Sequence, residues 1–449
     1  MNNFLILTLA VLSLGGCQPK SASVPAETND VNTPLHLLKP EYPVMYGETT
    51  PDSIKADMDK VYAYLEKVTP AGLEQQDSDK DVVDFTKIDT NTVFKKGDFR
   101  LISYEWGVTY GAMLRASEVT KDKKFVDYTR TRLDLVSSVL PAFRALEEKY
   151  AGYRSPVHSV LHPQALDDAG AMCAAMIKAQ RSGVLQKDIQ PIATNYIDYI
   201  LNKEFRLADG TLARNRPLPN TLWLDDLYMS LPALVQMGES SGESKYYDEA
   251  IKQFWLFANR MFVPEKGLYR HGWVQDMDPH PTFHWARANG WALLTKVEIL
   301  RVLPEQHSGR AALVEQFKKH VAGLAPLQHG TGFWHQLLDR NDSYLETSAT
   351  AIYAYCIAYG INNGWLDARA CGPMALQAWN AVSTQINTEG QVEGTCVGTG
   401  MGFDPAFYYY RPVNKFAAHG YGPVLLAAAE MYELLATKKY VINDSAVQF

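Results

Sequence analysis

KDKKFVDYTRTRLDLV, residues 121–136, has a later counterpart in GESKYYDEAIKQFWLF, residues 242–257. Each runs from a polar turn through a lysine and an aromatic–Asp–Tyr cluster into an apolar stretch at helical spacing. The echo points to a repeated helical hairpin rather than to unrelated domains. Outward from these two stretches, helical periodicity predicts segments at 53–68, 105–119, 124–150, 166–180, 189–203, 225–237 and 244–262, then at 285–302, 310–325, 345–360, 373–386 and 420–436. Twelve helices make six hairpins.

Longer connections rich in polar, aromatic, Gly and Pro residues recur between alternate helices, at 151–164, 267–284, 327–344 and 388–419. Such loops on one side of a helical scaffold are where sites usually sit. No Gly-, Ser- or Pro-rich linker divides residues 52–449. The expected fold is therefore all-α, an (α/α)6 double-layered helical barrel of six hairpins with a pocket at one end. An open helical solenoid is the alternative, and the uneven loops and aromatic richness favour the closed form. The catalytic-sized domain is expected over 51–440, with 441–449 as a C-terminal tail.

The apolar share, 47% of 449 residues, is enough to bury a large core. Net charge is −7, without the basic face that nucleic acid would require. An anionic ligand must then be held by local cations. At the N-terminus an apolar run from Phe4 to Leu14 ends in Leu14-Gly15-Gly16-Cys17, which resembles the lipobox of bacterial lipoproteins. That resemblance implies cleavage before Cys17 and its lipidation, with residues 1–17 as the signal and 18–50, rich in Pro, Ser, Thr and Asn, as a flexible tether. The expected location is the bacterial cell envelope, periplasm or outer membrane, with membrane contact only through the lipid anchor. A monomer or homodimer is expected. Cys173, Cys356, Cys371 and Cys396 lack metal-ligand spacing, and buried free thiols are favoured over a disulfide.

Two aspartate pairs stand before apolar helices: Asp167-Asp168 in QALDDAGAM and Asp225-Asp226 in LWLDDLYMS. Carboxylates there can simply cap a helix. Two matching pairs, however, allow one carboxylate of each to cap while the other points into a barrel mouth, because adjacent helical residues diverge by about 100°. Trp223, Tyr228 and Met229 would desolvate such a carboxylate and raise its pKa, as a general acid requires. In PTFHWARANGWALL, Arg287 and Trp291 share a helix face, and a guanidinium beside indoles suits the carboxylate and apolar face of a sugar acid. Thr347 and Ser348 are candidate caps and substrate hydroxyl partners. Trp106, Trp223, Trp285, Trp291 and Trp334 all fall at helix entrances, a bias that suggests a carbohydrate cleft. The sequence has no G-x-S-x-G, phosphate-loop, dinucleotide or H-E-x-x-H motif. His158/His162 and His280/His284 are spaced i, i+4 but contain or abut prolines, which argues against a helical metal face. Neither metal nor cofactor is expected.

Taken together, EWG at Glu105, LDDAGAM at Leu166, WLDDLYMSLPAL at Trp223, WARANGWALL at Trp285, YLETSATAI at Tyr344, CVGTGMG at Cys396 and HGYGPVLLAAAEM at His419 resemble glycoside hydrolase family 105 and, more distantly, family 88. The resemblance runs over nearly all of 52–440. It implies removal of a 4,5-unsaturated uronic acid from the non-reducing end of lyase-generated oligosaccharides of rhamnogalacturonan or ulvan type, by hydration of the C4=C5 bond. The family motif places the catalytic carboxyl on Asp225, the first Asp after the tryptophan. Of the earlier pair, Asp168, which directly precedes Ala169-Gly170, is favoured over Asp167 as the second catalytic Asp. The implied cleft comprises Trp106, Trp285, Arg287, Trp291, Trp334 and His284; Asp167, Trp223, Met229 and Ser348 complete the expected substrate-binding set. Ala288, where the family often has Gly, and the HSVLHPQA stretch at His158 are departures that bear on the leaving sugar. The alternatives are an inverting glycosidase on the same barrel and a glycan-binding lipoprotein without turnover.

Overall fold

A computed structural model describes residues 28–38, 48–443 and 447–449. Residues 1–17, with the expected lipobox, and most of the expected tether lie outside them. Twelve helices build the body: α1 (Pro51–Val68), α2 (Tyr104–Thr120), α3 (Lys123–Lys149), α4 (Leu166–Arg181), α5 (Gln190–Asp198), α6 (Leu231–Ser241), α7 (Ser244–Met261), α8 (Ala286–Val302), α9 (Arg310–Leu324), α10 (Thr347–Asn362), α11 (Ala368–Ser383) and α12 (Tyr421–Thr437). The even-numbered helices form an inner ring in which each packs on the next and α12 closes onto α2. The odd-numbered helices form the outer layer, each against an inner partner, with α1 against α12. This is the (α/α)6 barrel expected from the periodicity, and the closing contact excludes the open solenoid.

Burial follows the layering. Every residue of α10 from Thr347 to Ile361 is buried, whereas outer α7 buries only one stripe, including Tyr247, Phe254, Phe257 and Met261. Inner helices descend to short turns at one end, such as 121–122 and 242–243, and the chain returns up the outer layer to long loops at the other. All six inner-helix N-termini therefore converge on the same mouth.

Most predicted helices agree with the observed ones to within a few residues, and three differ for local reasons. The segment from Asp225 is not helical at its start: Leu224–Leu227 is a 3-10 turn, and α6 begins at Leu231 with Pro232 in its first turn. Proline suits a first turn, where its missing N–H costs nothing, and not a helix interior. Helix α10 begins at Thr347 because Leu345–Glu346 pairs with Trp334–His335 as a two-stranded ribbon. Helix α11 begins at Ala368, five residues earlier than expected, because Asp367 caps it by accepting from Arg369 N–H.

Thr49 already belongs to the folded body, bonded to Asn380 and Tyr440. The C-terminal tail returns to it, with the Phe449 ring packed over Gly372 of α11. All four cysteines beyond Cys17 are free thiols, three of them buried. Among the described residues no helix is long and apolar enough to cross a membrane.

Candidate active site

Two short-range devices bring the aspartate pairs together. A Cβ on Gly170 would lie 1.8 Å from the Met229 carbonyl oxygen, so only glycine lets α4 approach the turn that carries Asp225 and Asp226. Thr221–Trp223 pairs antiparallel with Gly272–Val274, with Trp223 opposite Gly272. That register sets His271 beside the turn, and Leu224 N–H donates to the His271 carbonyl at 2.9 Å.

Arg214, on the loop before the first of these strands, joins the two pairs. Its Nε donates to both Asp226 carboxylate oxygens at 3.0 and 2.9 Å, and its Nη atoms donate to Asp167 Oδ2 and Oδ1 at 3.0 Å each. The guanidinium also lies 4.4 Å from the Trp223 ring centroid, and Arg216 lies 5.1 Å from it. Asp226 is fully buried. Burial pushes its carboxyl up and the Arg214 guanidinium opposes that push, while the two carboxylates hold Arg214 charged. Asp226 is thus an ion-pair partner and not a helix cap.

Asp225 is different. Its carboxylate keeps a small exposed edge at the mouth, and among the described residues its one ion-pair partner is His271, with Nε2 3.0 Å from Oδ2. His271 Nδ1 lies 2.7 Å from the Tyr408 hydroxyl, which accepts Gly402 N–H at 2.9 Å. The His271 ring also packs 4.7 Å from that of Trp285. Asp225, His271 and Tyr408 form a hydrogen-bonded line that can hold or pass a proton.

Several expected positions are corrected. Asp168 accepts the Gln164 N–H at 2.9 Å and so ties down the loop before α4; Asp167 is the member of that pair that meets Arg214. The helical turn between them aims the two carboxylates in different directions. Trp106, Trp291 and Trp334 are core residues and not cleft walls, because inner-helix entrances are wedged between neighbouring helices. Trp106 stacks on Phe99 and donates to the Tyr128 hydroxyl, Trp291 stacks on Tyr228, and Trp334 donates to the Leu324 carbonyl. Met229 is buried, with its backbone against Gly170. Trp223 lies against Arg214, the partner of two of the carboxylates, and Trp285 against His271 and Arg287, and the indole nitrogen of each is buried without a partner.

Arg287 is not a free grip for a carboxylate. It directs three of its five N–H groups to the Cys396 carbonyl (2.7 Å), the Val397 carbonyl (2.8 Å) and Ser348 Oγ (3.2 Å), so it braces the 395–402 loop against α10. Its Nε stays unpartnered. Ser348 donates to Glu346, and it is Glu346, not Thr347 or Ser348, that caps α10 by accepting Ala349 N–H. Buried His284 is held by Asp339 at 3.0 Å, with its Nε2 unpartnered. At the far side of the mouth, the Tyr104 hydroxyl lies 2.5 Å from His419 Nε2, and burial with the Arg287 charge pushes the His419 imidazole well below its ordinary value.

Arg214, His271 and Tyr408 escape sequence reading. Arg214 and His271 sit in loops without helical spacing; Arg214 reaches Asp167 across 47 residues, and His271 reaches Asp225 and Tyr408 across 46 and 137. The one available signal was the RHGWV stretch at Arg270, a strand-like run facing LW in the aspartate segment.

The family model described as Glycosyl Hydrolase Family 88 matches residues 76–435. An unsaturated 3S-rhamnoglycuronyl hydrolase from Alteromonas sp. is 31% identical over 215 residues, covering 46% of this chain and 50% of that one. An unsaturated rhamnogalacturonyl hydrolase from Bacillus subtilis is 27% identical over 253 residues, covering 55% and 71%. The chain thus spans half the length of the first relative. Among solved structures, a possible member of the GH105 family from Salmonella enterica superposes with a TM-score of 0.66 at 24% identity, over 88% of this chain and 97% of that one. That likeness concerns the fold.

Proposed function

The chain belongs to glycosyl hydrolase family 88, and on that premise we propose that it is an unsaturated glycuronyl hydrolase. It removes the 4,5-unsaturated uronic acid from the non-reducing end of lyase-generated oligosaccharides. The carrying observation is the separation of the carboxylates: Arg214 engages Asp167 and Asp226, while Asp225 faces His271 at the mouth.

In this reading Asp225 delivers its proton to C4 of the double bond, and the carboxylate so formed takes a proton from the water that adds at C5. The C5 hemiketal opens to a ketone, which leaves C1 as a hemiacetal that releases the aglycone alcohol. One carboxyl suffices. An inverting glycosidase would need a second free carboxylate as base, and both neighbours are tied to a guanidinium. The uronate carboxylate is served by the positive ends of the inner helices that converge on the mouth. The names of the two relatives support a rhamnose-linked substrate of rhamnogalacturonan or ulvan type. The Leu14–Cys17 stretch supports a lipid-anchored protein of the cell envelope.

Purified protein incubated with products of several polysaccharide lyases should abolish their ultraviolet double-bond absorbance. Asp225→Asn should lower that rate by about 10³-fold with the melting temperature retained. A fully active variant removes Asp225 from the chemistry, and turnover of saturated oligosaccharides alone selects the inverting mechanism.

A further inference from the structure

We propose that Glu147, His158 and His162 form a zinc-type divalent metal site that clamps the 151–164 loop to the end of α3. The two histidines flank a one-turn helix, His158–Leu161, preceded by Pro156 and followed by Pro163. The prolines bracket this turn and do not enter it, so the i, i+4 pair does share a face, contrary to the expectation from sequence. The rings lie 5.1 Å apart.

Both rings aim a nitrogen at the same carboxylate oxygen. Glu147 Oε2 lies 3.0 Å from His158 Nδ1 and 3.2 Å from His162 Nε2, and the three candidate ligand atoms all fall within 4.8 Å of one another. Tetrahedral zinc with bonds of about 2.0–2.1 Å holds its ligand atoms roughly 3.3 Å apart, so insertion needs only small shifts. The supporting contacts are in place. Glu147 Oε1 accepts both the Ser155 N–H (2.8 Å) and its hydroxyl (2.6 Å), which fixes the carboxylate and leaves Oε2 for the metal. Asn195 of α5 donates to the Val160 and Leu161 carbonyls, which holds the turn that carries the histidines.

Two imidazoles and one carboxylate are a ligand set for zinc and neighbouring first-row ions, with a fourth position left for water. A cavity of about 820 Å³ lined by Tyr153, His158, His162 and Asn195 gives that position access to solvent. The residues of this cavity include none of the four aspartates, so the ion acts on the loop and not on reacting atoms. From His162 the chain runs through Pro163 to Gln164, whose N–H is held by Asp168. The clamp therefore fixes the segment that delivers Asp167 to Arg214.

The test uses untagged, chelator-stripped protein titrated with Zn²⁺ and, in parallel, with Co²⁺ for its visible d–d absorption. One equivalent should bind and survive gel filtration. Saturating zinc should raise the melting temperature by about 3 °C, as expected for a ligand near a hundredfold over its Kd in a chain of this length. His162→Ala, at an exposed side chain, and Glu147→Gln should each weaken binding at least 10-fold and remove the thermal shift. Retention below a tenth of an equivalent, or equal binding by His162→Ala with an unchanged metal-free melting curve, overturns the proposal.

Discussion

His271 Nε2 stands 3.0 Å from Asp225 Oδ2, held there because Trp223 and Gly272 face each other across a two-stranded ribbon. In the proposed reaction the ring positions the carboxyl and shares its proton, and Tyr408 holds the far side of the ring. His271→Ala should therefore lower kcat by about 10², the lower end of what acid–base groups contribute, with little change in KM. Its pH profile should shift relative to the parent, which a merely structural residue would not cause. Initial rates of absorbance loss across a pH series check this, and an unchanged profile removes the relay.

Arg214 is the counter-charge for a fully buried carboxylate. Arg214→Met should destabilise the protein by about 3–5 kcal/mol, because Asp226 is left buried without its partner. Adding Asp226→Asn should restore much of that loss by removing the orphaned charge. Denaturant melts of the single and double variants measure the coupling, and additive effects would show that the ion pair does not act as a unit.

Gly170→Ala places a methyl group 1.8 Å from the Met229 carbonyl, a clash with backbone that cannot rotate away. A loss of about 3 kcal/mol or more is expected, the upper end for overpacking. Activity should fall as well, since the displaced segment carries Asp225. A thermal melt with parallel assays checks both, and a variant of unchanged stability would mean that α4 and the aspartate turn separate easily.

Glu204 gives stability a pH dependence that can be signed. Burial, with the Asp226 charge adding to it, pushes this carboxyl up to about 7 from its ordinary 4.5. The folded state then binds the proton more tightly than the unfolded chain, so this contribution is present below the unfolded value and is lost as pH rises through about 7. Glu204→Gln should remove a slope on the order of 1–2 kcal/mol after solvent screening. Melting temperatures of the two proteins compared below and above that range should converge at low pH and diverge at high pH.

The helices were readable because each rests on local spacing. Runs such as Pro51–Val68 and Ser244–Met261 declare themselves by apolar residues at 3.6-residue intervals. The boundary at α6 was less readable, since Asp225 and Asp226 look like helix caps until Pro232 is weighed as the true first turn. The tryptophans misled for a physical reason. An indole at a helix entrance can face a cleft or the neighbouring helix, and spacing along one chain does not distinguish them; packing sent Trp106, Trp291 and Trp334 inward.

By itself the amino-acid sequence determined the helical ladder, the count of six hairpins and the placing of two aspartate pairs at the entrances of inner helices, all consequences of local periodicity. Only the tertiary structure decided the partner of each of the four similar carboxylates: Arg214 for Asp167 and Asp226, the Gln164 N–H for Asp168 and His271 for Asp225. That choice depends on where Arg214 and His271 arrive, and they arrive through ring closure, a glycine contact between α4 and the aspartate turn, and ribbon pairing across about fifty residues. Electrostatic selection of this kind acts through space, over a few ångströms, between groups with no fixed separation along the chain.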